Sequence, residues 1–157
     1  MVRATMILAT IVWAIGEAMM MRRTATRGQR ARAVWTIGVM LAVIHVVLAF
    51  QFVYGWDHEA AIAATVQQTI DRFGQGWSGG IYINYVFLLI WIADVGWWWI
   101  GPASHAARPR WIDRGRLAFF IFMFVNGAIV FASGIGRLVG IAALMLVMIA
   151  TMRPKQA

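Results

Sequence analysis

Along this chain, apolar residues come in five nearly unbroken stretches, and charge collects between them rather than within them. The stretches cover residues 4–21, 33–53, 80–100, 117–133 and 138–152. A bilayer's hydrocarbon core, about 30 Å thick, is crossed by roughly 17–25 helical residues. The pattern therefore predicts an all-α integral membrane protein: a single membrane domain, a bundle of about five transmembrane helices. The last stretch is short, and the segment Gly134-Ile135-Gly136-Arg137 reads as a tight turn before it.

Between the second and third stretches lies the longest polar segment, residues 54–79. Asp57 is placed to cap a helix. Ile62, Val66, Ile70 and Phe73 then recur at helical spacing, and Gly74 ends the run. An amphipathic helix over about 57–73, lying on the outer face, is the expectation. Its polar face holds His58, Glu59, Gln68, Asp71 and Arg72, which is too mixed in sign to seek anionic lipid.

Charge then orients the scheme. Eleven of the fourteen Lys and Arg residues follow the first, third and fifth stretches, and only Arg3, Arg72 and Arg137 fall on the other side. Cytoplasmic loops hold the excess of basic residues. The expected location is the cytoplasmic membrane, multi-pass, with the N-terminus outside and the C-terminus in the cytoplasm. Arg3 before an apolar run resembles a signal peptide, but Glu17 stands where a small-residue cleavage site belongs, so the first stretch is read as a retained span. Trp35, Trp56, Trp77, Trp97, Trp98, Trp99 and Trp111 lie at or near stretch ends, as interfacial anchors do, whereas Trp13 and Trp91 lie well inside.

Composition agrees. The chain is 62% hydrophobic and 13% charged, where a soluble domain is about a quarter charged. The formal charge of +8 is accounted for by the one-sided loops, so nucleic acid is not an expected partner. With no cysteine, iron–sulfur ligation, c-type haem attachment and thiolate metal sites are excluded. The single Lys155 lies outside every stretch, which disfavours a retinal Schiff base, and a lone intramembrane histidine disfavours bis-histidine haem. No cofactor is predicted.

Polar groups inside a span are costly and each needs a reason. Four stand out: Glu17, His45, Asp94 and Asn126. Helical spacing puts Thr10, Trp13 and Glu17 on one face, Asn84, Trp91 and Asp94 on another, and Phe122, Asn126 and Ser133 on a third. His45 shares the small-residue face Gly38, Ala42, Ala49, which faces a neighbouring helix. Together they form a candidate buried ion or proton site, with an unspecified metal as an alternative occupant. The competing reading is structural, with Glu17 neutralising Arg22 or Arg23 and Asp94 an arginine of the loop after residue 100. In that loop Arg108, Arg110 and Trp111 are candidate contacts for anionic lipid headgroups, and His105 reads as a solvated residue.

No catalytic constellation is legible. The leading functional expectation is a non-catalytic membrane subunit or scaffold packing against other membrane proteins or its own copies. A small transporter or channel using the four buried polar residues comes second, and a metal- or lipid-dependent membrane enzyme third.

Overall fold

The computed structural model describes residues 1–21 and 25–152, with the side chains of 25–27 left aside. Arg22, Arg23, Arg153 and Lys155, used above to orient the chain, lie outside the described residues, as does the side chain of Arg27. The protein is all-helical, at 88% helix with no strand among the described residues. The elements are α1 (Val2–Met21), α2 (Ala25–Ala49), α3 (His58–Phe73), α4 (Gly80–Ile100), α5 (Pro102–Ala106), α6 (Arg110–Val125) and α7 (Ile135–Met152). α2 and α6 each run on into a π-helical turn, Phe50–Tyr54 and Asn126–Val130.

Among the described residues, four helices are by length and composition apolar enough to cross a membrane: Val2–Met21, Gly28–Tyr54, Gly80–Ile100 and Ile135–Met152. α6 falls out because Arg110, Asp113, Arg114 and Arg116 occupy its first two turns. α7 qualifies because it begins at Ile135, three residues ahead of the apolar stretch. The turn before it is made by Gly134, at φ 57°. Arg137 donates from Nε and Nη2 to the Ala132 carbonyl at 3.1 and 2.8 Å, tying the first turn of α7 to the connection before it.

α1 is the central helix, packed most extensively on α2 and then on α7, while α4 lies against α2 and α6. Consecutive long helices alternate in direction. The start of α1 meets the far half of α2 through His45, and its end meets the start of α6 through Glu17 and Arg116. The end of α4 meets the start of α2 through Asp94 and Trp35. One end of the bundle thus gathers the last turn of α1, the first turns of α2 and α6, and the close of α4.

Among apolar helices, association depends on close packing and interhelical hydrogen bonds. Both are visible here. A Cβ at Gly38 would come within 2.6 Å of the Trp91 ring, and one at Gly140 within 2.3 Å of the Ala128 carbonyl oxygen. The Trp91 indole fills the space Gly38 leaves, and Ala128 approaches closely at Gly140. Trp35 packs 4.9 Å from Trp91 and 5.4 Å from Phe120, and Trp13 stacks on Phe124 at 4.1 Å, all distances between ring centroids. Trp35, expected at an interface, is fully buried, and so nearly is Trp98. Trp56, Trp77, Trp99 and Trp111 remain exposed, as anchors would be.

α3 forms as its sequence requires. Asp57 accepts from the backbone N–H of Glu59 and Ala60 at 2.9 and 3.2 Å, and Gly74 closes the helix at φ 74°. The face it buries is not centred on the apolar stripe. Ala61 and Thr69 are buried, and Thr65 sits against Gly80 at the start of α4, while Ile70 and Phe73 stay exposed. Small side chains one and two turns apart permit closer helix approach than the larger stripe does.

Candidate functional site

Two prolines shape the connection from α4 to α6. Gly101 ends α4, its N–H bonded to Trp97 O at 2.9 Å, and Pro102 opens the short α5 with a preset φ. Ser104 pins this turn, accepting from Trp97 Nε1 at 2.8 Å and donating to Gly101 O at 2.9 Å. Pro109 then disfavours helix at the residue before it and opens α6. His105 and Arg108 are carried back into the bundle by this path. They are 1% and 5% exposed, which overturns the solvated reading of His105 and removes Arg108 from the headgroup contacts. The physical reason is Asp94: a carboxylate in an apolar helix draws the nearest guanidinium inward. Arg110 and Trp111, by contrast, stay exposed.

Arg108 is the hub. Its Nη1 donates to Asp94 Oδ1 and lies 2.7 Å from His105 Nε2, and its Nε donates to Asp113 Oδ1 at 2.6 Å. The other Asp94 oxygen accepts from Trp35 Nε1 at 2.8 Å. A guanidinium can only donate, so the contact with His105 makes Nε2 the acceptor and assigns the imidazole proton to Nδ1. That is the neutral ring, stacked on Trp98 with centroids 4.5 Å apart. His105 Nε2 also lies 3.3 Å from Asp94 Oδ1.

Glu17 is held separately. Both of its oxygens accept from Arg116, Nη2 to Oε2 at 3.0 Å and Nη1 to Oε1. The pair bridges α1 and α6 across 99 residues of sequence. Arg116 also lies over the Trp35 and Phe120 rings, at 4.9 and 5.5 Å from their centroids, and within electrostatic reach of Asp94. The result is one buried layer in which Glu17 and Asp94 are offset by Arg116 and Arg108, with the half-exposed Asp113 at its edge. Bidentate guanidinium geometry suits such a layer, because it satisfies a carboxylate's oxygens while neutralising it.

The four intramembrane polar residues do not form a single cluster. Glu17 and Asp94 share this layer. His45 lies at the other end of α1, where its Nδ1 is 3.0 Å from Val2 O and 3.2 Å from Thr5 Oγ1. Asn126 donates to Phe122 O at 2.8 Å within its own helix, at the start of the π-helical turn. Of the face-mates, Thr10, Trp13 and Trp91 are buried, while Asn84 is exposed. Sequence reading missed Arg116, Trp35 and His105 as members of the layer. Arg116 stands one residue before an apolar stretch, and nothing local distinguishes it from its exposed neighbour Arg114.

Chemically, both buried acids are occupied. Each Asp94 oxygen accepts a charge-assisted or indole hydrogen bond, and Glu17 is fully engaged by one guanidinium. Among the described residues no group of three or more His, Cys, Asp or Glu side chains could hold a metal ion. Next to the layer, a cleft of about 450 Å³ opens between α1, α2, α4 and α5, with His105 and Trp98 in its wall. Comparison with protein-family models, curated proteins and solved structures gave no match.

Proposed function

We propose that the protein is a non-catalytic integral membrane subunit that packs against other membrane proteins or against copies of itself. The observation that carries this reading is the arginine-saturated layer: the two acids inside apolar helices are consumed in joining α1, α4 and α6. A transport or catalytic site keeps an ionisable group available, and here each is bound on every oxygen. In the same reading the chain crosses the bilayer five times, with its N-terminus outside and its C-terminus in the cytoplasm. Support comes from the alternating helix directions and from the unbroken helix 110–130, which carries its arginines at the same end as the start of α2. The apolar residues left exposed along α2, α4 and α7 would face lipid and partner helices.

Native mass spectrometry of the full chain, extracted in mild detergent from its own host membrane, tests the proposal. Co-extraction of a stoichiometric partner or a defined homo-oligomer is expected. Recovery as a lone monomer under conditions that keep other complexes intact would sink it.

One observation favours a second reading, a small transporter: neutral His105 sits beside Asp94 in the wall of the cleft. Proton or solute passage along that wall requires the Asp94 carboxylate. Under this reading Asp94→Asn in reconstituted vesicles abolishes uptake and leaves the helical circular dichroism and melting unchanged. Loss of folding instead returns Asp94 to its structural role.

A further inference from the structure

The cleft beside the ion-pair layer has a polar lining of one kind. Arg32, Gln29 and His105 supply its polar side chains, and no carboxylate is among its described lining residues. Met19, Met20 and Trp98 make up much of the remainder.

Two of the three polar groups are held in place. The Arg32 guanidinium lies 4.0 Å above the Trp99 ring and donates from Nη1 to Trp98 O at 3.4 Å, a long bond that leaves most of its five N–H donors unused among the described residues. His105 is 1% exposed, with Trp98 stacked on one face and Nε2 occupied by Arg108. Its remaining polar atom, Nδ1, carries the proton and makes no hydrogen bond among the described residues. An N–H donor at the wall of a cleft is open to an acceptor that enters it. Asp94 cannot serve, since Trp35 and Arg108 already occupy its oxygens.

We propose that this cleft binds a phosphate group, either as the ester of an anionic lipid headgroup or as free phosphate, through Arg32, Gln29 and His105 Nδ1. An ionised phosphate offers negative charge and acceptor oxygens, the complement of the held Arg32 fork and His105 N–H with the exposed Gln29 amide beside them. The apolar walls accommodate the carbon chemistry flanking a phosphodiester. This goes beyond the subunit reading and does not depend on which partners the protein has.

The test is native mass spectrometry of the purified full chain in detergent with equimolar phosphatidylglycerol and phosphatidylcholine, and in a second arm with inorganic phosphate. Wild-type protein is expected to retain one phosphatidylglycerol in preference to phosphatidylcholine, with retention falling about tenfold in Arg32→Gln, the loss of one charge-assisted contact. Arg114→Gln, an exposed arginine outside the cleft, should leave retention unchanged. Circular dichroism checks each variant's fold, and the exposed Gln29→Ala, with a smaller loss expected, decides the matter if Arg32→Gln is unfolded. Binding of inorganic phosphate without lipid preference, lost in Arg32→Gln, supports the site and identifies free phosphate as its occupant. Three results overturn the proposal: no preference together with no phosphate binding, retention indifferent to the cleft variants, or an equal loss in Arg114→Gln.

Discussion

At one end of the bundle, Glu17 and Asp94 are almost wholly buried and find their cations 99 and 14 residues away in sequence. At the other end, polar groups sit at or near the surface, many bonded to neighbours in sequence: Asp57 to the first turn of α3, Arg137 to Ala132, Trp56 Nε1 to Gln51 at 2.9 Å. Of the longer-range links there, Tyr85 OH to His58 Nδ1 at 3.1 Å is exposed and His45 Nδ1 to Val2 O at 3.0 Å is part-buried, and neither is an ion pair. The contrast teaches where polar chemistry bears on stability. An exposed hydrogen bond trades against water and nets little, whereas a buried charge has no alternative partner and imposes a large cost if its counter-ion is lost. One end is therefore held by tertiary ion pairs, and the other by local caps, small-residue contacts and the His45 contacts with the start of α1.

The sharpest way to break this comparison is to remove one charge from the buried layer. Arg116→Met leaves Glu17 uncompensated and is expected to destabilise the protein by about 3–5 kcal/mol, read as a shift of the unfolding midpoint in detergent. Combining it with Glu17→Met should recover most of that loss, because a well-packed apolar pair is often as stable as a buried ion pair. If the single variant melts like wild type, the layer does not hold the bundle.

A smaller effect is expected at the opposite end. Asp57→Ala removes the acceptor for two backbone donors of α3 and should cost about 1 kcal/mol. Limited proteolysis of the segment around α3 provides the local readout, with faster cleavage there and none gained near Arg108. The smallest change is expected for Tyr85→Phe, which deletes the exposed bond to His58 while keeping the ring. Its effect on the midpoint should stay within about 0.5 kcal/mol. An effect matching that of Arg116→Met would erase the distinction between the two ends.

Much of the architecture was legible in residue order. Hydropathy located the long helices but not the charged first turns of α2 and α6 or the short α5, and α3 begins at the capping aspartate and ends at the glycine that local rules identify. Where reading by hydropathy and by single helices failed, the cause was a neighbour from elsewhere in the chain. Trp35 looks like an interfacial anchor by its position in the stretch, yet Asp94 and Phe120 enclose it. His105 looks like a loop residue, yet Trp98 and Arg108 bury it. Facing put Glu17 and Asp94 inward, as found, but depth along a helix did not separate them from His45, which bonds at the far end of α1.

Sequence by itself determined which segments are helical and apolar, where they are capped and broken, and how basic residues divide among the loops. These depend on interactions within a few residues, or on transfer of single segments out of water, and are written locally. Only the tertiary structure decided which arginine meets which acid. Arg108 and Arg114 are both loop-side arginines of similar context, but only Arg108 stands between two prolines that turn it toward Asp94. Arg116, two residues beyond Arg114 on the same helix, faces Glu17. A charge in an apolar bundle must be neutralised, and which cation does so is set by chain path and helix facing, quantities that exist only once the helices have packed.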